Sequence, residues 1–279
     1  MMRTINSFER LKNHYLAVRD GDIRFLVVVG RGGIGKSCMY EEVFPSGKYN
    51  HFTGRTTAIE IYCQAYDHPD IPIILDDVGS LLHHCDCIEL LKSLCDSREQ
   101  RVVQWHTKTP FLEGRNKKFI ATGPVLMVCN RALFNNEDVN AVMDRADVVE
   151  FAPPKDEILR KLRTYAEDEE ILQFLEQPRV QPSLRSYEKA KMWKASPHLH
   201  WKQELMDECG IEEHIQIQAE IIRNEPSAKQ CYALYKQRTG RSRRDYYNHL
   251  PLAKELATAA VGNREHFCTT QAQTNEGGL

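Results

Sequence analysis

Gly30-Arg31-Gly32-Gly33-Ile34-Gly35-Lys36-Ser37 is the stretch on which the reading of this 279-residue chain turns. Its four glycines free the backbone from side-chain collisions, so successive N–H groups can turn toward one centre. A valine-rich apolar run, Ile23 to Val29, precedes it and reads as a strand buried on both faces. A helix is predicted from about Lys36. The N-terminus of a helix contributes unpaired N–H groups and the positive end of its dipole. The string fits G-x-x-x-x-G-K-[ST] in full, in the strand-to-helix context the motif requires. The candidate phosphate-binding segment is therefore Gly30, Arg31, Gly32, Gly33, Ile34, Gly35, Lys36, Ser37 and Cys38. Lys36 is expected on the β- and γ-phosphates of a nucleotide, and Ser37 on Mg²⁺.

Further along, Ile71 to Leu75 reads as a second buried strand, ended by Asp76-Asp77. A carboxylate at a strand C-terminus lies at the edge where parallel sheets bind ligands. Asp76 is the candidate Mg²⁺ ligand, mostly through water, and Asp77 the residue that orients or deprotonates an attacking water. Val125 to Cys129 is a third buried strand, ended by Asn130. Glu137 to Met143 is a short helix, and Arg145 stands just before a fourth buried strand, Val148 to Phe151. Asn130 has an alternative reading as a turn residue, and Arg145 as a solvated arginine favourable at a helix end.

Between these lie helices predicted at Phe8–Val18, Thr57–Tyr66 and Cys87–Leu94, and strands at Asn50–Thr53, Val102–Trp105 and Phe119–Ala121, the last at a sheet edge. Lys108 to Arg115 reads as loop. Strands alternating with helices predict an α/β fold, a parallel sheet with helices on both faces. After Pro153-Pro154 strand signals cease. The expected division is an α/β domain over 1–154, a helical lid over 155–208, a C-terminal helical module over 209–262 and a disordered tail over 263–279.

Hydrophobic residues make up 42% and charged residues 27%, as in an ordinary globular protein. The formal charge of −2 excludes a polycation, so any nucleic-acid contact must come from a local patch. Nine scattered cysteines and no apolar run of membrane-spanning length lead to the expectation of a reduced, cytoplasmic protein with no membrane. His83-His84-Cys85-Asp86-Cys87 is dense in metal-ligand types but lacks the paired spacing of a zinc site. It reads as the loop and helix start after the second buried strand. Trp105-His106-Thr107 reads as core packing after a strand, with a place near the DNA-holding central pore of a ring as the alternative.

A local basic patch does occur. Ser227 to Arg238 reads as a helix, Thr239 to Ser242 as a turn with Gly240, and Arg243 to Leu250 as a second helix capped by Ser242. This looks like a helix-turn-helix, with the segment around Ile211 to Ile222 as its third helix. Lys236, Arg238, Arg241, Arg243, Arg244 and Tyr247 are the candidate DNA-binding residues. A subunit contact or a solvated hairpin is the alternative.

The order of these features, a P-loop, an Asp-Asp strand, a strand ending in Asn and an Arg before a strand, followed by a helical lid, resembles the AAA+ ATPases over about residues 1 to 190. The resemblance implies ATP as the nucleotide, Asn130 as sensor 1 and Arg145 as an arginine finger acting on a neighbouring subunit. That role requires a homo-oligomer, a ring or a helical filament. Ser183-Leu184-Arg185 resembles the start of the sensor 2 helix, which would bring Arg185 to the nucleotide. With the basic hairpin, the chain resembles helicase loaders, replication initiators and transposition regulators of phages and mobile elements, which implies DNA and a helicase or recombinase as partners. A superfamily 3-like helicase motor and a protein remodeller that binds no DNA are the alternatives.

Overall fold

The computed structural model describes residues 2–107, 109–130, 137–177, 180–208, 213–225, 227–254 and 257. The predicted tail at 263–279 and Arg131, a competitor of Arg145 for a charged role, lie outside them. The chain forms two compact units, Met1–Ile158 and Leu159–Leu279.

The first unit runs β1 (Arg3–Ile5), α1 (Phe8–Arg19), β2 (Phe25–Val29), α2 (Lys36–Val43), β3 (Asn50–Thr53), α3 (Ala58–Asp67), β4 (Ile73–Asp76), α4 (Cys85–Leu94), β5 (Arg101–Gln104), β6 (Lys118–Ala121), β7 (Val125–Cys129), α5 (Glu137–Met143), β8 (Asp147–Phe151) and the start of α6 (Lys155–Arg163). Its six-stranded sheet has the order β1-β8-β2-β7-β4-β3, and every pair is parallel. Every residue of β2 and β7 is buried. Their unbroken apolar runs are what a strand covered on both faces needs. On one face Phe25, Val27 and Val29 join Ile73, Leu75, Val125 and Met127 in a core that takes in α3, α4 and α5. On the other, α1 lies against β2 and α2, with Leu11, Tyr15 and Val18 buried. The fold is thus α/β, a parallel sheet flanked by helices and followed by further helices.

Two expectations need correction. Val102–Trp105 and Phe119–Ala121 do not extend the parallel sheet. They form β5 and β6, which pair antiparallel with each other in a separate two-stranded sheet. The reason lies in their pattern: β5 alternates buried and exposed, with Val102 and Ile120 paired on the open face, so only one side is covered. Conversely, β1, unrecognised in the sequence, adds an edge strand beside β8. Lys108–Arg115 includes a short 3₁₀ turn at Pro110–Leu112. The histidine- and cysteine-rich stretch forms a 3₁₀ turn over Gly79–His83 and the first turn of α4, with Cys87 buried. Trp105 packs against the core, while His106 is exposed.

The second unit is helical: α7 (Glu169–Glu176), α8 (Leu184–Ala195), α9 (Trp201–Glu208), α10 (Glu213–Asn224), α11 (Ala228–Thr239) and α12 over 243–254. Asp168 caps α7, and Ser183 caps α8 in a reciprocal pair with Ser186. Among the described residues no helix is long and apolar enough to cross a membrane.

Candidate functional site

Parallel pairing sends the C-terminal ends of β2, β7 and β4 to one edge. The register sets Val29 opposite Cys129 and Asp76 opposite Val128, so the residues that follow each strand emerge side by side. Gly30 N–H donates to the Cys129 carbonyl at 3.1 Å, and Asp77 N–H to the Val128 carbonyl at 3.1 Å. The glycine loop, Asn130 and Asp76-Asp77 therefore share one crevice, where open parallel sheets bind their ligands.

The loop needs its glycines for stated reasons. A Cβ on Gly30 would come within 2.5 Å of the Phe151 carbonyl oxygen. Gly33 and Gly35 sit at φ +79° and +94°, a region costly to other residues. Gly35 is the N-cap of α2, and Ile34 anchors the loop in the core. Lys36 is only 5% exposed. Its ammonium donates to the carbonyl oxygens of Gly30 at 2.6 Å and Arg31 at 2.9 Å, and to Asn130 Oδ1 at 3.1 Å. Asn130 Nδ2 donates onward to Asp77 Oδ1 at 2.9 Å. One amide thus bridges the lysine of the loop and the second aspartate. Ser37 is half-buried beside Lys36, while Arg31 and Cys38 are exposed.

Two tyrosines that sequence reasoning missed hold this arrangement from behind. Tyr15, fully buried on α1, donates its hydroxyl to the Lys36 carbonyl at 3.3 Å. Tyr40, on α2, donates to Asp76 Oδ2 at 2.8 Å. Burial first, and then the neighbouring Asp76, push both phenols well above their ordinary pKa, so both stay protonated donors. Tyr40 had a signal: it follows Lys36 by four residues and so shares its helix face. Tyr15 had none, because its contact spans separate elements. Cys129, at the end of β7, is no nucleophile. Burial pushes its thiol up to about 12, against the pull of Lys36.

These donors and acceptors suit a nucleoside triphosphate with its cation. The loop offers glycine backbone at a helix N-terminus, Lys36 a cation, and Ser37 and Asp76 oxygen ligands of the kind Mg²⁺ prefers.

Arg145 stands elsewhere. It precedes β8, whose first residue Asp147 pairs with Leu26, so it lies at the opposite edge of the sheet from the loop. From the Leu26 level to Gly30 is four residues, roughly 13 Å of strand at about 3.3 Å per residue. Its guanidinium donates to the Ala141 carbonyl. Arg185 is exposed in the first turn of α8, in the second unit.

The basic hairpin is also in the second unit. Ile221 of α10, Cys231 and Tyr235 of α11 and Tyr246 of α12 form one small core. Gly240, at φ +69°, closes α11. Ser242 and Asp245 cap α12 reciprocally, through Ser242 Oγ to Asp245 Oδ2 at 2.7 Å and Asp245 N–H to Ser242 Oγ at 3.1 Å. Lys236, Arg238, Arg241, Arg243, Arg244 and Tyr247 are all exposed. The Arg243 guanidinium lies over the rings of Tyr232 and Tyr247, 5.9 and 5.6 Å from their centroids. Arg238 is paired with Glu220 at 3.1 Å, which offsets part of its charge.

No family model matches the chain. An uncharacterized 36.7 kDa protein in the nrdC-mobD intergenic region of Enterobacteria phage T4 is 26% identical over 136 residues, which are 45% of this chain and 40% of the phage protein. The chain thus matches well under half of that relative's length. Among solved structures, C. elegans PCH-2 aligns over 84% of this chain and 67% of its own, with 13% identity and a TM-score of 0.31.

Asp77 is the only non-glycine at positive φ among the described residues, at +55°. Asp and Asn tolerate this region, whereas a β-branched residue does not. Asp77→Val is expected to lower unfolding free energy by about 1–3 kcal/mol. Asp77→Asn should change it by less than about 0.5 kcal/mol. Urea denaturation of the two variants checks this, and equal stabilities would contradict the strained conformation.

Proposed function

We propose that this protein binds and hydrolyses ATP as an AAA+-type ATPase, acting on DNA in replication or mobile-element maintenance. The observation that carries the reading is the chain Lys36–Asn130–Asp77 at the C-terminal edge of the sheet, built beside a complete P-loop. Lys36 would neutralise charge on the β- and γ-phosphates. Asp77, held by Asn130, would orient the attacking water and take its proton. Ser37 and Asp76 would hold Mg²⁺, which neutralises phosphate charge when bound. ATP is preferred over GTP because the AAA+ resemblance favours it and the sequence has no N-K-x-D motif to read guanine.

Arg145 has a place in this scheme only on a neighbouring copy, given its position at the far edge of its own sheet. This supports a homo-oligomer in which each chain completes the next one's site, through head-to-tail contacts. Arg185, on the helical segment, is the remaining candidate for the nucleotide. The exposed face of α11 and α12 is the candidate DNA surface, with Arg244 at the start of a capped helix and Arg243 fixed against two tyrosines. A helicase loader, initiator or transposition regulator, with a helicase or recombinase partner, is the role that suits such a pairing of activities.

The direct experiment is ATP turnover and nucleotide binding by wild type and Lys36→Ala. Loss of binding, or a fall in turnover of at least a hundredfold, is expected. Unchanged turnover would falsify the assignment.

Arg145→Ala should retain ATP binding while losing hydrolysis. An equimolar mixture with Asp77→Asn should recover part of the lost turnover, since each variant supplies what the other lacks. A mixture as inactive as its components would remove the trans role.

DNA should be retained at low salt and released as salt rises. Arg241→Ala/Arg244→Ala is expected to weaken binding and to reduce the slope of log affinity against log salt by about 2, at nearly one counterion per phosphate contact. Equal slopes for variant and wild type would remove the hairpin from the interface. Turnover indifferent to single- and double-stranded DNA would favour a remodeller of protein partners.

A further inference from the structure

Behind Asp76 lies a second layer of hydrogen bonds that the sequence motifs do not include. Tyr40 is 1% exposed. Its ring is fixed by edge-on neighbours, Tyr15 at 6.4 Å, Tyr49 at 6.5 Å and His51 at 5.9 Å between centroids. Its hydroxyl contacts two groups, Asp76 Oδ2 at 2.8 Å and His51 Nε2 at 3.1 Å. A phenol has one proton, and a carboxylate can only accept. The Tyr40 proton therefore goes to Asp76, and His51 must donate Nε2–H to the phenol oxygen. The result is a directed chain, His51 to Tyr40 to Asp76, in which each bond polarises the next.

The chain joins three elements: α2, which begins with Lys36 and Ser37; β3, which carries His51; and β4, which ends in Asp76. A carboxylate on an isolated strand end can rotate about its last bond, and that freedom is lost when it takes up a cation or the cation's water. A buried donor that pins one oxygen removes the freedom in advance and leaves the other lone pairs for the ligand. Groups behind a metal ligand commonly act in this way.

We propose that Tyr40, held in turn by His51, is a positioning residue that sets the Asp76 carboxylate for the divalent cation accompanying the nucleotide. The inference rests on the reading of this crevice as an ATP site. Tyr40 touches neither nucleotide nor reacting atoms in this role. It acts through Asp76, and it ties the orientation of that carboxylate to the helix that presents Lys36 and Ser37.

The test uses the full chain and the slowly hydrolysed analogue ATPγS, whose affinity is measured by calorimetry with Mg²⁺ and with EDTA. The readout is the enhancement of affinity by Mg²⁺. Tyr40→Phe keeps the ring and its packing and deletes only the hydroxyl. It should reduce the enhancement about tenfold, the scale of other losses behind a metal ligand. Affinity in EDTA should match wild type, which a general disruption of the loop would not allow. His51→Leu, at an exposed position, should reduce the enhancement less, and should add nothing to Tyr40→Phe, because the imidazole acts only through the phenol. If Tyr40→Phe does not fold, His51→Leu decides alone. Unchanged enhancement in the folded variants would overturn the proposal. So would an increase, which would make the hydroxyl a competitor of the cation. A wild type that binds ATPγS with no Mg²⁺ enhancement would overturn it while leaving the nucleotide site standing. A wild type that binds no ATPγS would bring down the ATP reading itself.

Discussion

The ammonium of a lysine that is 5% exposed must be solvated by the protein around it, and the first unit is arranged to do this for Lys36. Two of the oxygens that receive it are carbonyls of the loop that precedes it, Gly30 and Arg31. A third comes from Asn130, on a strand nearly a hundred residues away. The glycines permit the first two, since a loop with ordinary side chains could not fold back over its own lysine. The third depends on the sheet, because β7 must lie directly beside β2 for the amide to reach.

That neighbour relation is why the strand order matters more than the strand count. With β7 between β2 and β4, the amide of Asn130 stands between the loop and the Asp76-Asp77 pair. Were β4 to pair with β2 directly, the aspartates would meet the lysine without an intermediary, and the amide would have no role. Two tyrosines reinforce the same alignment. Tyr15 fixes the backbone at Lys36, and Tyr40 fixes Asp76. Three contacts of different chemistry thus hold one crevice in register. None of them involves the exposed arginines.

The features legible in the sequence were those dictated by the nearest neighbours in the chain. The run Val125–Cys129 reads as a strand because any segment so apolar must be covered on both faces, and the structure covers it. The helix at Glu137–Met143 and the Ser183 and Ser242 caps follow from local hydrogen-bonding chemistry. Where pairing decides, the sequence is silent. β1 is three residues long and carries one buried side chain, Ile5, too little to register as a pattern. The alternation in β5 tells against a place in a sheet covered on both faces, but nothing in either segment states that its partner is the other. The same limit explains the site. Lys36, Ser37, Asp76 and Asn130 could be found because motifs are local strings. The phenol of Tyr40 had only its shared helix face with Lys36 as a signal and that of Tyr15 had none, because both roles exist only after α1, α2 and β4 have been packed together.

The position of Asn130 also links occupancy of the loop to the Asp77 carboxylate. Its side chain has one acceptor and one amino group, and in this arrangement both are engaged, the acceptor by Lys36 and the amino group by Asp77. A triphosphate in the loop would offer Lys36 anionic oxygens, which hold an ammonium more strongly than neutral carbonyl or amide oxygens do. Lys36 would then leave the Asn130 acceptor, and the amide would be free to turn toward a water while keeping or exchanging its hold on Asp77. Asp77 itself sits at positive φ, with its backbone N–H donating to the Val128 carbonyl and its side chain accepting from the amide. A change of partner at Lys36 would thus reach a strained residue through a single side chain.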